Sequence, residues 1–467
     1  MKRFINRERE LATLNEQYAA NDAAFMVIYG RRRVGKTTLI KEFIKNKRAL
    51  YFLANEETEA VSMRRFAEAL AEYTGQEYLK NASFENWRDL FDIFLKHEQS
   101  EKKLLIIDEF PYMANANSAF PSILQWVWDT WFQEQKTMLV LCGSLINMME
   151  KYTLNYSSPL YGRRTGQIKM KQIDFAHYHK FYENMPYRDL VEFYSVTGGI
   201  PKYIELFDGQ KGLFDEIRRL MLNPNGLLFE EPEFLLRHEV DEIGSYFSII
   251  KSIAAGNHKP GKISADINVK QTSLPKYLKT LIDLDILRRD VPVTEENPEK
   301  SKMSLYQIKD NFLRFWFRFV YPERGRLELG QADYVMQKIK ANFIDNHVAH
   351  VYESVCRSEL WQLEMAGKLK FNKLGPWWNN NVEIDSVGID ATGNDIVFAE
   401  CKYRNQPMDT DVFYDLLRKK ELVPWKIESR VEKFVLFSIS GFTERLRNMA
   451  NKRKDLFLFG GDGQLEE

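Results

Sequence analysis

Cysteine is scarce: Cys142, Cys356 and Cys401 are the chain's three cysteines and form no CxxC pair. That excludes a disulfide framework and points to a reducing compartment, the cytoplasm. Long apolar runs are also missing. The longest, such as MLVLCGSLINMM, fall short of the roughly 18 residues of a membrane span, so no membrane partner is expected. The opening MKRFINRERELATL carries charge throughout and lacks the apolar stretch of a secretory signal, so export is not expected. There is no repeat of fixed period and no low-complexity tract. An excess of one charge is absent too, because 66 Lys plus Arg balance 66 Asp plus Glu. What is present, 44% hydrophobic and 28% charged residues in 467, is the balance of a folded globular chain with room for about three domains.

The neutral total hides local asymmetry. Residues 243–320 hold 13 basic against 8 acidic residues, whereas 205–242 hold 4 against 10. A nucleic-acid partner is therefore not excluded by net charge.

The strand-length apolar run FMVIY (25–29) leads into Gly30-Arg31-Arg32-Arg33-Val34-Gly35-Lys36-Thr37 and then the helix-forming TLIKEFIKNK. A GxxxxGK[ST] loop between strand and helix turns its backbone N–H groups toward phosphates, and the helix N-terminus adds its positive dipole end. Lys36 is expected to reach the β- and γ-phosphates and the Thr37 hydroxyl to ligate Mg²⁺, with Thr38 closing a cradle of residues 30–38. The side chains of Arg31, Arg32 and Arg33 are not expected to be catalytic. The second apolar run, KLLIIDEF (103–110), ends in two carboxylates: Asp108, to hold Mg²⁺, and Glu109, to orient water. A third, TMLVL (137–141), exits through Cys142-Gly143-Ser144. There Ser144 either senses the γ-phosphate or simply ends a strand. The cofactors expected are ATP and Mg²⁺.

Together with FINREREL (4–11), SPLYGRR (158–164) and TGGIPKYI (197–204), these motifs resemble the archaeal-type ATPases, relatives of the AAA+ and STAND nucleotide switches. The resemblance spans about residues 1–240. It implies that Asn6 and Arg7 lie near the adenine, that Pro201 in a helical lid packs on the nucleotide, and that Arg163 or Arg164 reaches the γ-phosphate in cis or from a neighbouring copy. For either arginine a surface ion pair is the alternative. Trp126, Trp128 and Trp131 read as a packed helix face. His177 and His179 lack a third metal ligand and read as structural.

Residues 243–320 read as two short helices, a third helix beginning after Gln271-Thr272-Ser273, and a hairpin joining LDILRRDVPV to MSLYQI. That order is a winged helix-turn-helix. It would set Gln271, Thr272, Ser273 and Lys276 at the first turn of a recognition helix, with Ser273 in the capping segment and Lys279, Arg288 and Arg289 on phosphates. An internal packing role is the competing reading. NFLRFWFRFV (311–320) reads as a buried connecting helix.

The last third reads as helix, three strands, helix, strand, helix, strand. Period-2 alternation puts Glu400 and Lys402 on one strand face, and the preceding strand supplies Asp385. Two carboxylates and a lysine are the residue types of a metal-dependent phosphodiester hydrolase: Asp385 and Glu400 for Mg²⁺ or Mn²⁺, Lys402 for water, Glu353 completing the acidic cluster. The region from about 335 to 460 resembles the PD-(D/E)XK nuclease superfamily, as the domain appended to many archaeal-type ATPases, with IleAsp385 in place of ProAsp. His347 and His350 read as a solvated helix face, and Trp377 and Trp378 as core caps.

The expected fold class is thus α/β. The parts are a P-loop NTPase core (1–170), a helical lid (171–240), a winged helix-turn-helix (241–325) and a C-terminal α/β restriction-endonuclease-like domain (335–467). The expected activity is ATP hydrolysis whose nucleotide state controls the winged helix and a nuclease-like domain acting on DNA. The alternative is a STAND-like switch whose C-terminal domain binds nucleic acid or protein without cleaving. A nucleotide-dependent homo-oligomer fits either.

Overall fold

The computed structural model describes residues 4–240 and 242–466. They divide into two compact units, one running to Ile173 with Ile200–Lys202 added, the other holding Asp174–Gly199 and everything from Tyr203 onward. Of the segments expected as lid, middle and C-terminal domains, all but 171–173 and Ile200–Lys202 fall in the second unit.

The first unit is built on five strands: β1 (Ala24–Tyr29), β2 (Leu50–Leu53), β3 (Leu104–Asp108), β4 (Met138–Gly143) and β5 (Gly166–Lys169). They form one parallel sheet in the order β2-β3-β4-β1-β5. Every residue of β1, β3 and β4 is buried, which is why these strands read as unbroken apolar runs rather than as alternation. Because β4 lies between β1 and β3, its exit is flanked by the loops that leave those two strands. Trp128 is buried against Phe25, whereas Trp126 and Trp131 meet edge-on at 4.8 Å with Trp126 partly exposed.

In the second unit, helices Ile243–Ala254, Pro260–Asp266 and Leu274–Asp283 precede an antiparallel pair, β6 (Leu287–Asp290) and β7 (Leu305–Ile308). Leu274, Leu278 and Leu281 form the buried stripe of the third helix. Ser273 stands at its N-cap position but makes no cap bond; its hydroxyl donates instead to the Lys270 carbonyl at 2.7 Å. Helix Asn311–Phe315 continues to Val320 as a buried connector, with the Trp316 indole donating to the Phe229 carbonyl at 2.8 Å.

Helix Ala349–Met365 then leads into β8 (Lys373–Asn379), β9 (Val382–Ile389), β10 (Asp395–Lys402), β11 (Val431–Ser438), β12 (Leu456–Phe459) and β13 (Leu465–Glu466), in sheet order β13-β12-β11-β10-β9-β8. β10 and β9 pair antiparallel, as the turn at 392–394 predicts, and β10, β11 and β12 run parallel. Trp377, Phe398, Phe413 and Phe434 belong to the core that helix Thr410–Lys420 closes on this sheet. His347 departs from expectation. It is fully buried among Phe315, Phe319 and Phe343 with Nε2 2.7 Å from the Ser195 carbonyl, and burial pushes its pKa down to about 3. His350 is the solvated one. Among the described residues no helix is long and apolar enough to cross a membrane.

Candidate functional site

The loop after β1 requires its glycines. Gly30 has φ +147°, and a Cβ there would stand 2.5 Å from the Met170 carbonyl oxygen; Gly35 has φ +97° at the head of helix Lys36–Ile44. Lys36 folds back over this loop, its ammonium donating to the Gly30 and Arg31 carbonyls at 2.7 and 2.9 Å. The Thr37 side chain is exposed at the loop mouth and donates to Asp108 Oδ2 at 3.1 Å. The Tyr51 hydroxyl donates to the same oxygen at 2.9 Å, and burial together with Asp108 holds that phenol well above its ordinary value.

Asp108 ends β3, and its Oδ1 accepts the Glu109 amide at 3.0 Å. Glu109 itself sits in the left-handed region at φ +56°, capping helix Phe110–Ala116, and this turns its carboxylate toward the exit of β4. There the Ser144 amide and hydroxyl both donate to Glu109 Oε2 at 2.9 Å. Thr37, Asp108, Glu109 and Ser144, drawn from three loops at one end of the sheet, are thus joined by consecutive hydrogen bonds. A hydroxyl and a carboxylate facing each other are hard oxygen donors, and this pair suits Mg²⁺.

The neighbouring residues have settled partners. Arg7 is buried and donates to the Val34 carbonyl at 3.1 Å and the Lys171 carbonyl at 2.6 Å, pinning the segment that carries Asn6 against the loop. Arg31 is buried, Arg32 donates to the Tyr112 hydroxyl at 3.1 Å, and Arg33 is exposed at φ +70°. Arg163 grips Asp129 with two bonds of 2.8 Å, the ion-pair alternative for this residue. Arg164 lies 5.8 Å from the Tyr161 ring, with Nη1 buried and without a hydrogen-bond partner among the described residues. Pro201 opens helix Pro201–Leu206.

The second candidate site is on β9 and β10. Pairing of Phe398 with Val387 and Ala399 with Ser386 carries Asp385 to the level of Glu400 and Cys401, and the Cys401 amide donates to Asp385 Oδ2 at 2.8 Å. Glu400, 2% exposed, is held on both oxygens, by Lys402 at 2.8 Å and by Lys419 at 2.7 Å. Lys402 also stands 3.5 Å from Asp385. Burial, then the adjacent Glu400 charge, pushes the Asp385 carboxyl up to about 7. Burial works against the Lys402 ammonium, but Asp385 and Glu400 outweigh it and hold its pKa above the usual value.

Glu353 does not complete an acidic cluster. Burial alone would raise its carboxyl, yet His350 at 3.4 Å with Arg357 and Arg288 holds it below the ordinary value. Among the described residues no three His, Cys, Asp or Glu side chains converge to hold a metal ion. With an ammonium on each Glu400 oxygen, the Asp385–Glu400 pair as arranged does not fit a divalent cation.

In the middle segment Gln271, Thr272, Ser273, Lys276 and Lys279 are all exposed. Arg288 and Arg289 are committed internally instead: Arg288 to Asp290 at 3.0 Å and Ser354 at 3.3 Å, Arg289 to Ser304 at 2.8 Å. Two residues with no sequence signature also belong to these sites, Tyr51 and Lys419. Tyr51 is delivered by pairing of β2 with β3, and Lys419 by helix packing, and neither leaves a local pattern.

Residues 4–207 match the model of an ATPase domain predominantly from Archaea, and residues 316–421 match that of archaeal and bacterial proteins of unknown function. An uncharacterized protein of Methanocaldococcus jannaschii is 36% identical over 90% of this chain and 92% of its own length. An uncharacterized ATP-binding protein of the same organism is 51% identical over 45 residues, 10% of this chain and 76% of its own. Among solved structures, a Walker-type ATPase of Pyrococcus abyssi superposes with a TM-score of 0.50 at 17% identity, covering 68% of this chain and 96% of that one. The chain belongs to the family of the Methanocaldococcus protein that it matches along its length, an archaeal-type ATPase family in which the P-loop domain is followed by a C-terminal domain of unknown function.

Proposed function

We propose that the protein binds and hydrolyses ATP at the Thr37–Asp108–Glu109–Ser144 site and uses nucleotide state to control how its second unit acts on DNA. The observation that carries the hydrolytic half is the double hydrogen bond from Ser144 to Glu109. It fixes a carboxylate beside the phosphate loop, where it can orient an attacking water. Lys36 exchanges its two loop carbonyls for phosphate oxygens. Thr37 and Asp108 would hold Mg²⁺, which neutralises charge on the phosphates. Ser144, bonded to Glu109 through both donors, links the water-orienting group to the γ-phosphate position. Arg164, whose Nη1 has no hydrogen-bond partner among the described residues, is the better γ-phosphate candidate than Arg163, in cis or from a second copy in an ATP-dependent oligomer. Asn6 and Arg7 border the adenine, and Pro201 packs on the nucleotide.

The DNA half rests on the exposed turn Gln271–Ser273 and Lys276, which we read as the start of a recognition helix in a winged helix. At β9 and β10 the residue set Asp385, Glu400 and Lys402 is nuclease-like. The clamping of Glu400 by two lysines favours the second reading, a domain that binds nucleic acid without cleaving it. Purified protein with ATP and Mg²⁺ or Mn²⁺, compared with Lys36→Ala and Asp385→Ala for ATP hydrolysis and for nicking of DNA and RNA, separates the two. Loss of hydrolysis in Lys36→Ala with no nicking by any form supports the switch. Nicking abolished by Asp385→Ala establishes the nuclease. Hydrolysis that survives Lys36→Ala refutes the ATP site.

A further inference from the structure

A basic cavity lies in the second unit, lined by no residue of β9 or β10. A cavity of about 380 Å³ is lined by Lys251, Arg318, Lys338 and Asn342 over an apolar floor that includes Phe317, Phe319 and Pro322. That volume is at the small end of the range for sites that take small organic ligands. Arg318 is fixed by one bond, Nη1 to the Ala254 carbonyl at 2.9 Å. Lys251 forms no ion pair among the described residues and stands 5.9 Å from the Tyr321 ring. Lys338 pairs with Glu323, a carboxylate it shares with Arg326 at 3.3 Å. Three cations and one amide therefore face the cavity, and Glu323 is the acid that answers them.

Further positive charge stands on the same helix. Arg314, one helical turn before Arg318 on the same face, is partly buried, and its side chain makes neither a hydrogen bond nor an ion pair among the described residues; burial pushes its pKa down to about 10. Arg288 and Arg318 add repulsion there, and Glu353 is the acid that offsets it. His258 and His347 are both held below their ordinary values by burial, so they stay neutral and add no charge. Arg314 and Arg318 repel each other, and an anion bound beside Arg318 lowers that repulsion.

We propose that this cavity is an anion site for a phosphate group, with Arg318, Lys251 and Lys338 on the phosphate and Asn342 as a further donor. The apolar floor then takes a flat, apolar portion of the same ligand, which is the chemistry of a nucleoside monophosphate. A phosphate at the end of a nucleic-acid strand presents the same group. The site is independent of the phosphate loop, so its failure leaves the ATP site untouched.

The test uses full-length protein carrying Lys36→Ala to silence the phosphate loop, titrated calorimetrically at low salt with AMP and, separately, with a short 5′-phosphorylated single-stranded oligonucleotide. Binding weakened at least about tenfold by Arg318→Gln, a loss of about 1.4 kcal/mol, and by the exposed pair Lys251→Gln with Lys338→Gln, is the expected result. Arg318→Lys keeps part of the affinity. Both lysines are exposed, so their variants separate lost binding from lost folding, and an unchanged melting temperature confirms it. AMP bound in this way assigns a free nucleotide; the oligonucleotide alone assigns a strand end. No binding of either probe, or binding that these substitutions leave unchanged, overturns the proposal.

Discussion

Replacing Asp385 with Asn removes one ionisation from the β9–β10 cluster while keeping an oxygen for the Cys401 amide. Lys402 retains Glu400 as its closer partner at 2.8 Å. In the folded chain the Asp385 carboxyl is pushed from 3.8 to about 7, first by burial and then by Glu400; unfolded, it returns to the ordinary value. A carboxyl whose folded pKa is raised contributes stability that is complete below the unfolded value and lost as pH rises through the folded one. Above neutrality the fold therefore carries the whole cost of a buried charge, about 4 kcal/mol at about 1.4 kcal/mol per pH unit. Between about pH 5 and about pH 8.5, two of those three pH units are traversed, so wild type should lose about 3 kcal/mol relative to Asp385→Asn. Scanning calorimetry of both full-length proteins across that range reads this difference. Melting temperatures that fall in parallel, or a variant less stable than wild type at the alkaline end, would refute a buried, charge-strained Asp385.

Lys419→Met leaves Glu400 one ammonium instead of two. Because Lys419 is 22% exposed, the cost to folding is about 1 to 3 kcal/mol rather than that of a sealed pair, and a pair that does not fit a divalent cation with both lysines in place should gain Mn²⁺ binding, followed by paramagnetic resonance. Unaltered Mn²⁺ binding would show that the lysine does not compete for the carboxylate. Ser144→Ala removes one of two donors to Glu109 and should slow ATP turnover by about tenfold, less than Glu109→Gln, because the backbone amide still donates; an equal effect of the two would contradict the geometry. Tyr51→Phe removes one bond to Asp108 and should cost about 1 kcal/mol, read as a shift in the Mg²⁺ dependence of hydrolysis.

Where the sequence was legible, the physics was local. The strands β1, β3 and β4 are buried on both faces and read as apolar runs, and the phosphate loop needs glycine at φ values that other residues resist. Alternation along β10 correctly placed Glu400 and Lys402 on one face, and the turn at 392–394 correctly joined β9 to β10. What stayed hidden depends on distant chain. Tyr51 reaches Asp108 across the neighbouring strand, 57 residues away. Lys419 arrives from a helix and converts a pair of acids into an ion-pair network. His347 looks polar within its own helix, but the aromatic rings that bury it include Phe315 and Phe319, which come from another. Arg288 and Arg289 look available for phosphates until Asp290, Ser354 and Ser304 occupy them.

Whether ATP is hydrolysed at the Thr37–Asp108–Glu109–Ser144 site decides what the protein does with nucleotide. Single-turnover hydrolysis of labelled ATP, measured alongside nucleotide binding, addresses it directly. Wild type should bind and hydrolyse, Glu109→Gln should bind ATP but hydrolyse it about 10² to 10³ times more slowly, and Lys36→Ala should lose hydrolysis. Turnover at the wild-type rate in Glu109→Gln would mean that Glu109 does not orient the attacking water.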